Sequence, residues 1–192
     1  MTGPCIVDAV LIVGVGNPDR GDDGLGALAA RRLSDLRIPG VRVICRSADI
    51  LGLAEEWRAA GGVILIDAAQ SETPIASGGR VPVHRIDVSV QPLPKSFAGR
   101  STHGFGIAEA VELARALGTL PRRIIVYAVE GRRFDMGAPL SPEVAASMDG
   151  LVARVGAEAR SMTSDTSQAG RKAEHETTGG APGFPSPEKS TS

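Results

Sequence analysis

The strongest constraint on the fold is an alternation of two kinds of segment. Residues 9–15 (AVLIVGV), 41–45, 63–66 (VILI), 81–86 and 124–129 (IIVYAV) are short and rich in β-branched side chains, and three of them are apolar at every position. A strand without polar alternation has both faces covered, as in a mainly parallel sheet. The intervening stretches carry helical periodicity. Residues 24–36 place Leu25, Leu28, Ala29 and Leu33 on one face, and residues 51–60 and 105–117 behave alike, the latter through Ile107, Ala110, Val111 and Ala114. A last helix is announced by Ser141 as N-cap, Pro142 at the first helical position and Glu143 in the positive turn. Successive β and α units with right-handed crossovers predict an α/β three-layer sandwich, with a mostly parallel sheet of about five strands and helices on both faces.

A chain of 192 residues supports one such core. Residues 7–163 are expected to form a single α/β domain. From residue 164 the sequence holds no Val, Ile, Leu or Met and one aromatic residue, Phe184, so residues 164–192 are expected to be a disordered tail. Lys plus Arg (21) nearly balance Asp plus Glu (22), with no basic tract, which argues against nucleic acid as a partner. No apolar run approaches the roughly 18 residues of a membrane span, so no membrane insertion is expected. The start MTGPCIVD carries no basic residue ahead of its apolar run, and no secretory signal is legible. Cys5 and Cys45 form no C-x-x-C pattern and are expected to be reduced, buried and structural, which fits a cytoplasmic protein.

In an open α/β sheet, ligands bind beyond the carboxyl ends of the strands. The polar residues following the apolar runs are Asn17, Asp19, Asp22 and Asp23, then Asp49, Asp67, His103 and Glu130. Taken singly, each is as readily a helix cap or a surface residue; their collection on one edge is the signal. The first turn, GVGNPDRGDDGLG, superficially matches a dinucleotide fingerprint. The third glycine of G-x-G-x-x-G is here Asp19, and Asp22 and Asp23 would put two carboxylates where a pyrophosphate needs a positive helix end. Such a loop suits a cation, or donors on a peptide. Asp23, Asp67 and His103 together offer two hard oxygens and an imidazole, a set suited to Ni, Zn, Mn or Fe that leaves coordination positions open.

The motifs GVGNPDRGDDGLG, ILIDAA, STHGFGIAEAVELA and VYAVEGRRFDMGAPLSPEV, in this order across residues 9–159, resemble the hydrogenase maturation peptidases. Those endopeptidases remove a C-terminal extension from the large subunit of [NiFe] hydrogenases and are often classed as aspartic-type. The resemblance implies that Asp23, Asp67 and His103 form the catalytic and metal-contacting set. It also implies that Asn17, Asp22 and Asp49 serve the substrate side, with Asn17 and Asp22 shaping the loop. Around Asp49 the sequence reads Cys-Arg-Ser-Ala-Asp instead of the Asp-Gly-Gly-Thr of the membrane-hydrogenase peptidases, which leaves the hydrogenase class open.

It further implies that the partner is the [NiFe] hydrogenase large-subunit precursor, that nickel arrives already installed in it, that no organic cofactor takes part, and that the peptidase is a monomer. Open coordination positions allow polarisation of the scissile carbonyl or activation of water, with a free carboxylate as general base. Asp22 and Asp23 are neighbours in one loop and are not evidence for a pepsin-like dyad. There is no G-x-S-x-G elbow to supply a serine nucleophile. Two alternatives stay open: another metal-dependent peptidase or amidohydrolase with its own tightly held ion, and a non-catalytic nickel-dependent chaperone or binding module that reads the precursor without cutting it.

Overall fold

The structure, a computed structural model, describes residues 10–47, 52, 56–57, 60–71, 79–94 and 107–177, with side chains through residue 165. Each run expected as a strand is one: β1 (Val10–Val15), β2 (Val41–Arg46), β3 (Gly62–Gln70), β4 (Val83–Asp87) and β5 (Ile124–Gly131). They form one sheet in the order β2-β1-β3-β5-β4, parallel except for the antiparallel β4. The three continuously apolar runs are the three central strands, and the two that alternate lie at the edges. Burial explains the sorting, since a central strand meets helices on both faces and an edge strand does not.

Three described helices accompany the sheet: α1 (Leu25–Asp35), α2 (Ile107–Ala116) and α3 (Pro142–Thr177). Leu25, Ala29 and Leu33 of α1 and Val144, Met148, Leu151 and Val155 of α3 pack on the face made by Val10, Ile12, Ile64, Ile66, Ile125 and Tyr127. The opposite face, Leu11, Val13, Leu65 and Val126, is covered by Ile107, Ala110, Val111 and Ala114 of α2 and by Trp57. Each fully buried aliphatic side chain contributes about 1.5–3 kcal/mol. The α/β sandwich is therefore the fold, apart from the helix expected over residues 51–60, most of which lies outside the described residues.

Three expectations are corrected. Ser141 does precede α3, but its hydroxyl donates to Asp22 Oδ2 at 3.0 Å instead of accepting from the helix's own N–H groups. Cys45, expected buried, is a free and exposed thiol, because β2 is an edge strand with one face only partly covered. The tail expected to be disordered from residue 164 continues α3 as far as Thr177. A composition too polar to build a core need not end a helix already nucleated by a packed segment; each further residue requires only its own backbone bond. Residues 178–192 lie outside the described residues.

Candidate active site

From β1 the chain runs to β2 on one side, and β3 then returns to the other side of β1. The carboxyl ends of β1 and β3 therefore diverge into a crevice, the position where open α/β sheets bind ligands. Pairing between the two strands ends at Gly14↔Ile66, while β3 continues against β5 as far as Gln70↔Gly131. Asp67 is the first β3 residue past that end. It was expected to close its strand; instead it lies within a longer one, at the point where β1 leaves off.

The loop above this edge is built from tight turns. Gly16 adopts φ 125°, and a Cβ there would collide with the Asp23 carbonyl, so the position requires glycine. Asn17 then closes a turn, its Oδ1 accepting from the Asp19 N–H at 3.0 Å. Its own N–H donates to Asp23 Oδ2 at 2.9 Å. Gly21–Gly24 forms a 3₁₀ turn leading into α1. At Gly26, a side chain would collide with the carbonyl oxygens of Val15 and Ile66, so its absence lets the first turn of α1 rest on the ends of β1 and β3.

The 3₁₀ turn sends its two acids to different places. Asp22 is fully buried and accepts from the N–H groups of Arg132 (2.8 Å), Arg133 (2.9 Å) and Ser141 (2.6 Å) and from the Ser141 hydroxyl (3.0 Å). Its carboxylate ties the first loop to the β5–α3 connection and so shapes the loop. Sequence reasoning missed these partners because they lie more than a hundred residues away.

Asp23, 1% exposed, and Asp67, 9% exposed, are both buried at this edge, near enough for the charge of Asp23 to act on Asp67. Burial in the sheet edge, reinforced by the Asp23 charge, pushes the Asp67 carboxyl up to about 7 against an Ala68 N–H bond at 2.9 Å that lowers it. A like-charged, desolvated pair is stabilised by a proton or by a cation. Asp67 follows Val63 and Leu65 by strand alternation, which puts it on the α2 side of the sheet. His103 precedes α2 by four residues in sequence and lies outside the described residues, as does Asp49. Among the described residues no three His, Cys, Asp or Glu side chains converge as a metal-holding group. Of the expected trio, then, the structure brings two members together.

Glu130, noted as the acid ending the fifth strand, is 2.6 Å from the Ser71 hydroxyl that donates to it and 2.9 Å from His84 Nε2. His84 lies inside a strand and not at its end, so its position in the sequence carries no signal of a site.

No protein-family model matches the sequence, nor does any curated relative. Comparison of structures gives clear likenesses. The [NiFe] hydrogenase maturation protease HybD from Thermococcus kodakarensis superposes with a TM-score of 0.60 at 27% identity, over 78% of this chain and 98% of that one. The hydrogenase 2 maturation peptidase from a Thaumarchaeota archaeon gives 0.55 at 27% identity, over 76% and 94%. The Escherichia coli hydrogenase-maturating endopeptidase HybD gives 0.64 at 20% identity, over 79% and 92%, a likeness of fold. With this sheet and these loop motifs in the same chain, the protein is similar in fold and in sequence to the [NiFe] hydrogenase maturation proteases.

Proposed function

We propose that this protein is the endopeptidase that removes the C-terminal extension of a nickel-loaded [NiFe] hydrogenase large-subunit precursor. The observation that carries the reading is the Asp23–Asp67 pair at the β1/β3 crevice. Two buried carboxylates at one point repel each other, and a divalent cation relieves that repulsion. Nickel enters as part of the substrate, so the precursor is gripped only when its metal is in place. Asp23, oriented by the Asn17 N–H, and Asp67 supply the hard oxygens, and His103 is assigned as the third donor. Near neutral pH Asp67 carries a proton for part of the time, and it gives that proton up to solvent when the cation arrives.

The test is trimming of a purified precursor, followed by its size shift. Nickel-loaded precursor is expected to be cut and nickel-free precursor left whole, while Asp23→Asn, Asp67→Asn and His103→Ala each abolish cutting in a folded protein. Asn nearly matches Asp in shape and lacks its charge, so the loss is electrostatic. Equal cutting of the two precursors would refute metal recognition. Binding without any size shift would leave the chaperone reading in its place.

A further inference from the structure

A second recognition feature lies at the far side of the same sheet edge. A cleft of about 480 Å³ opens between the start of β4 and the first half of α3. Its apolar lining includes Val81, Val83 and Leu151, and two guanidinium side chains, Arg80 and Arg154, stand around it. Arg154 stacks over the Tyr127 ring at 5.6 Å, and neither arginine has a carboxylate partner among the described residues. The one acid in the lining, Glu143, is already engaged by Arg132 at 3.2 Å. Positive charge without a counter-ion among the described residues, set beside an apolar lining, calls for an anion attached to an apolar group.

The neighbouring strand supplies the rest. β4 is the last strand of the sheet. The bonds Glu130 N–H to the Pro82 carbonyl and Val88 N–H to the Ile124 carbonyl turn the backbone of its even-numbered residues toward β5. The backbone groups of Val83, Arg85 and Asp87 consequently point outward, with no partner among the described residues. Open edges of this kind accept extended peptides.

We infer that β4 and the adjoining cleft form a docking site for an extended peptide, with an apolar C-terminal residue in the cleft and its terminal carboxylate between Arg80 and Arg154. A terminal residue carries an apolar side chain and a carboxylate on one Cα, as the cleft requires; an acidic side chain brings the charge alone. β4 runs antiparallel, so Val83 lies at the carboxyl edge of the sheet, as Asp67 does. The outer side of β4 is three strand spacings from β3, about 14 Å, which some four to six extended residues span. The use of this site to hold the tail of a substrate rests on the peptidase reading; the docking itself does not.

The experiment is fluorescence anisotropy with a labelled hexapeptide, Ala-Thr-Val-Thr-Val-Leu, as free acid and as C-terminal amide. The free acid is expected to bind, with affinity lowered about tenfold or more by amidation and by Arg80→Gln or Arg154→Gln. Gly150→Leu is the second variant. A Cβ at Gly150 meets nothing within 4 Å, so the added side chain fills the cleft without crowding the helix, and binding is lost while Tm is kept or raised. Equal binding of acid and amide, unchanged binding to Gly150→Leu, or no binding up to about 1 mM peptide overturns the inference. An amidated peptide ending in Glu that binds as well as the free acid also overturns it. Asp67→Asn is measured alongside and is expected to bind the peptide without cutting the precursor; an unsubstituted protein that binds the peptide but does not cut nickel-loaded precursor counts against the peptidase reading alone.

Discussion

Asp22 and Asp23 are adjacent in sequence, identical in side chain and equally buried, yet their environments oppose each other. In a 3₁₀ turn successive side chains project about 120° apart. One therefore meets three backbone N–H groups and a hydroxyl, and the other meets the Asn17 N–H and a second carboxylate. Near-isosteric substitutions should then act with opposite sign. Asp22→Asn swaps an acceptor for an amide that cannot accept from all four donors, and is expected to cost about 2–4 kcal/mol in denaturant unfolding. Asp67→Asn removes a carboxyl that burial and Asp23 raise to about 7 from an ordinary 3.8. The folded state thus binds more protons than the unfolded one between those values, and stability falls as pH rises from about 4 to 7. The variant should match the parent near pH 3.5 and exceed it by about 1–3 kcal/mol at pH 8. A parent whose stability does not fall across that interval relative to Asp67→Asn would show that the pair is not strained.

Among the elements, the length of β3 decides where the site forms. β3 outlasts its pairing with β1 and stays in the sheet against β5, so Asp67 is held by a strand while facing a loop. The first turn of α1 closes the other side of the crevice through Gly26, in contact with both strand ends. Gly26→Ala, ordinarily favourable in a helix, should here push α1 off the sheet and cost about 1–3 kcal/mol, which the variant's denaturation midpoint checks. These elements were legible to different degrees. Continuous apolar runs revealed the central strands because burial on both faces leaves no alternation, and the acids after those runs marked the edge. The antiparallel direction of β4 and the anchoring of Asp22 were not legible, since each depends on partners distant in sequence.

On the scale of the whole molecule, α3 is a packed segment continued by a polar one within a single helix. At 1.5 Å per residue its 36 residues extend about 54 Å, well beyond the roughly 30 Å of the nine-residue β3. The packed part is secured near its end by Glu158, which accepts from Arg85 at 2.6 and 2.9 Å, from Arg123 at 3.3 Å and from the Tyr127 hydroxyl at 3.2 Å. The Arg85 bonds hold the Glu158 carboxyl below its usual range, so this anchor weakens as pH falls through that lowered value. Met162, 3% exposed, adds the last described apolar contact, and Asp165 adds an exposed ion pair to Arg123 worth little in water. Two truncations should therefore differ sharply. Ending the chain after Asp165 is expected to lower Tm by no more than about 2–4 °C, the equivalent of roughly 1 kcal/mol in a domain of this size. Ending it after Ala157 removes Glu158, Ala159 and Met162 together, leaving Arg85 on β4, Arg123 just before β5 and Tyr127 on β5 without their acceptor and a gap in the core, and should cost several kcal/mol, about the sum of a broken ion-pair network and a cavity. Thermal melts of the two shortened chains decide the matter: a large fall for the longer one would mean that the turns beyond Asp165 are held by the domain.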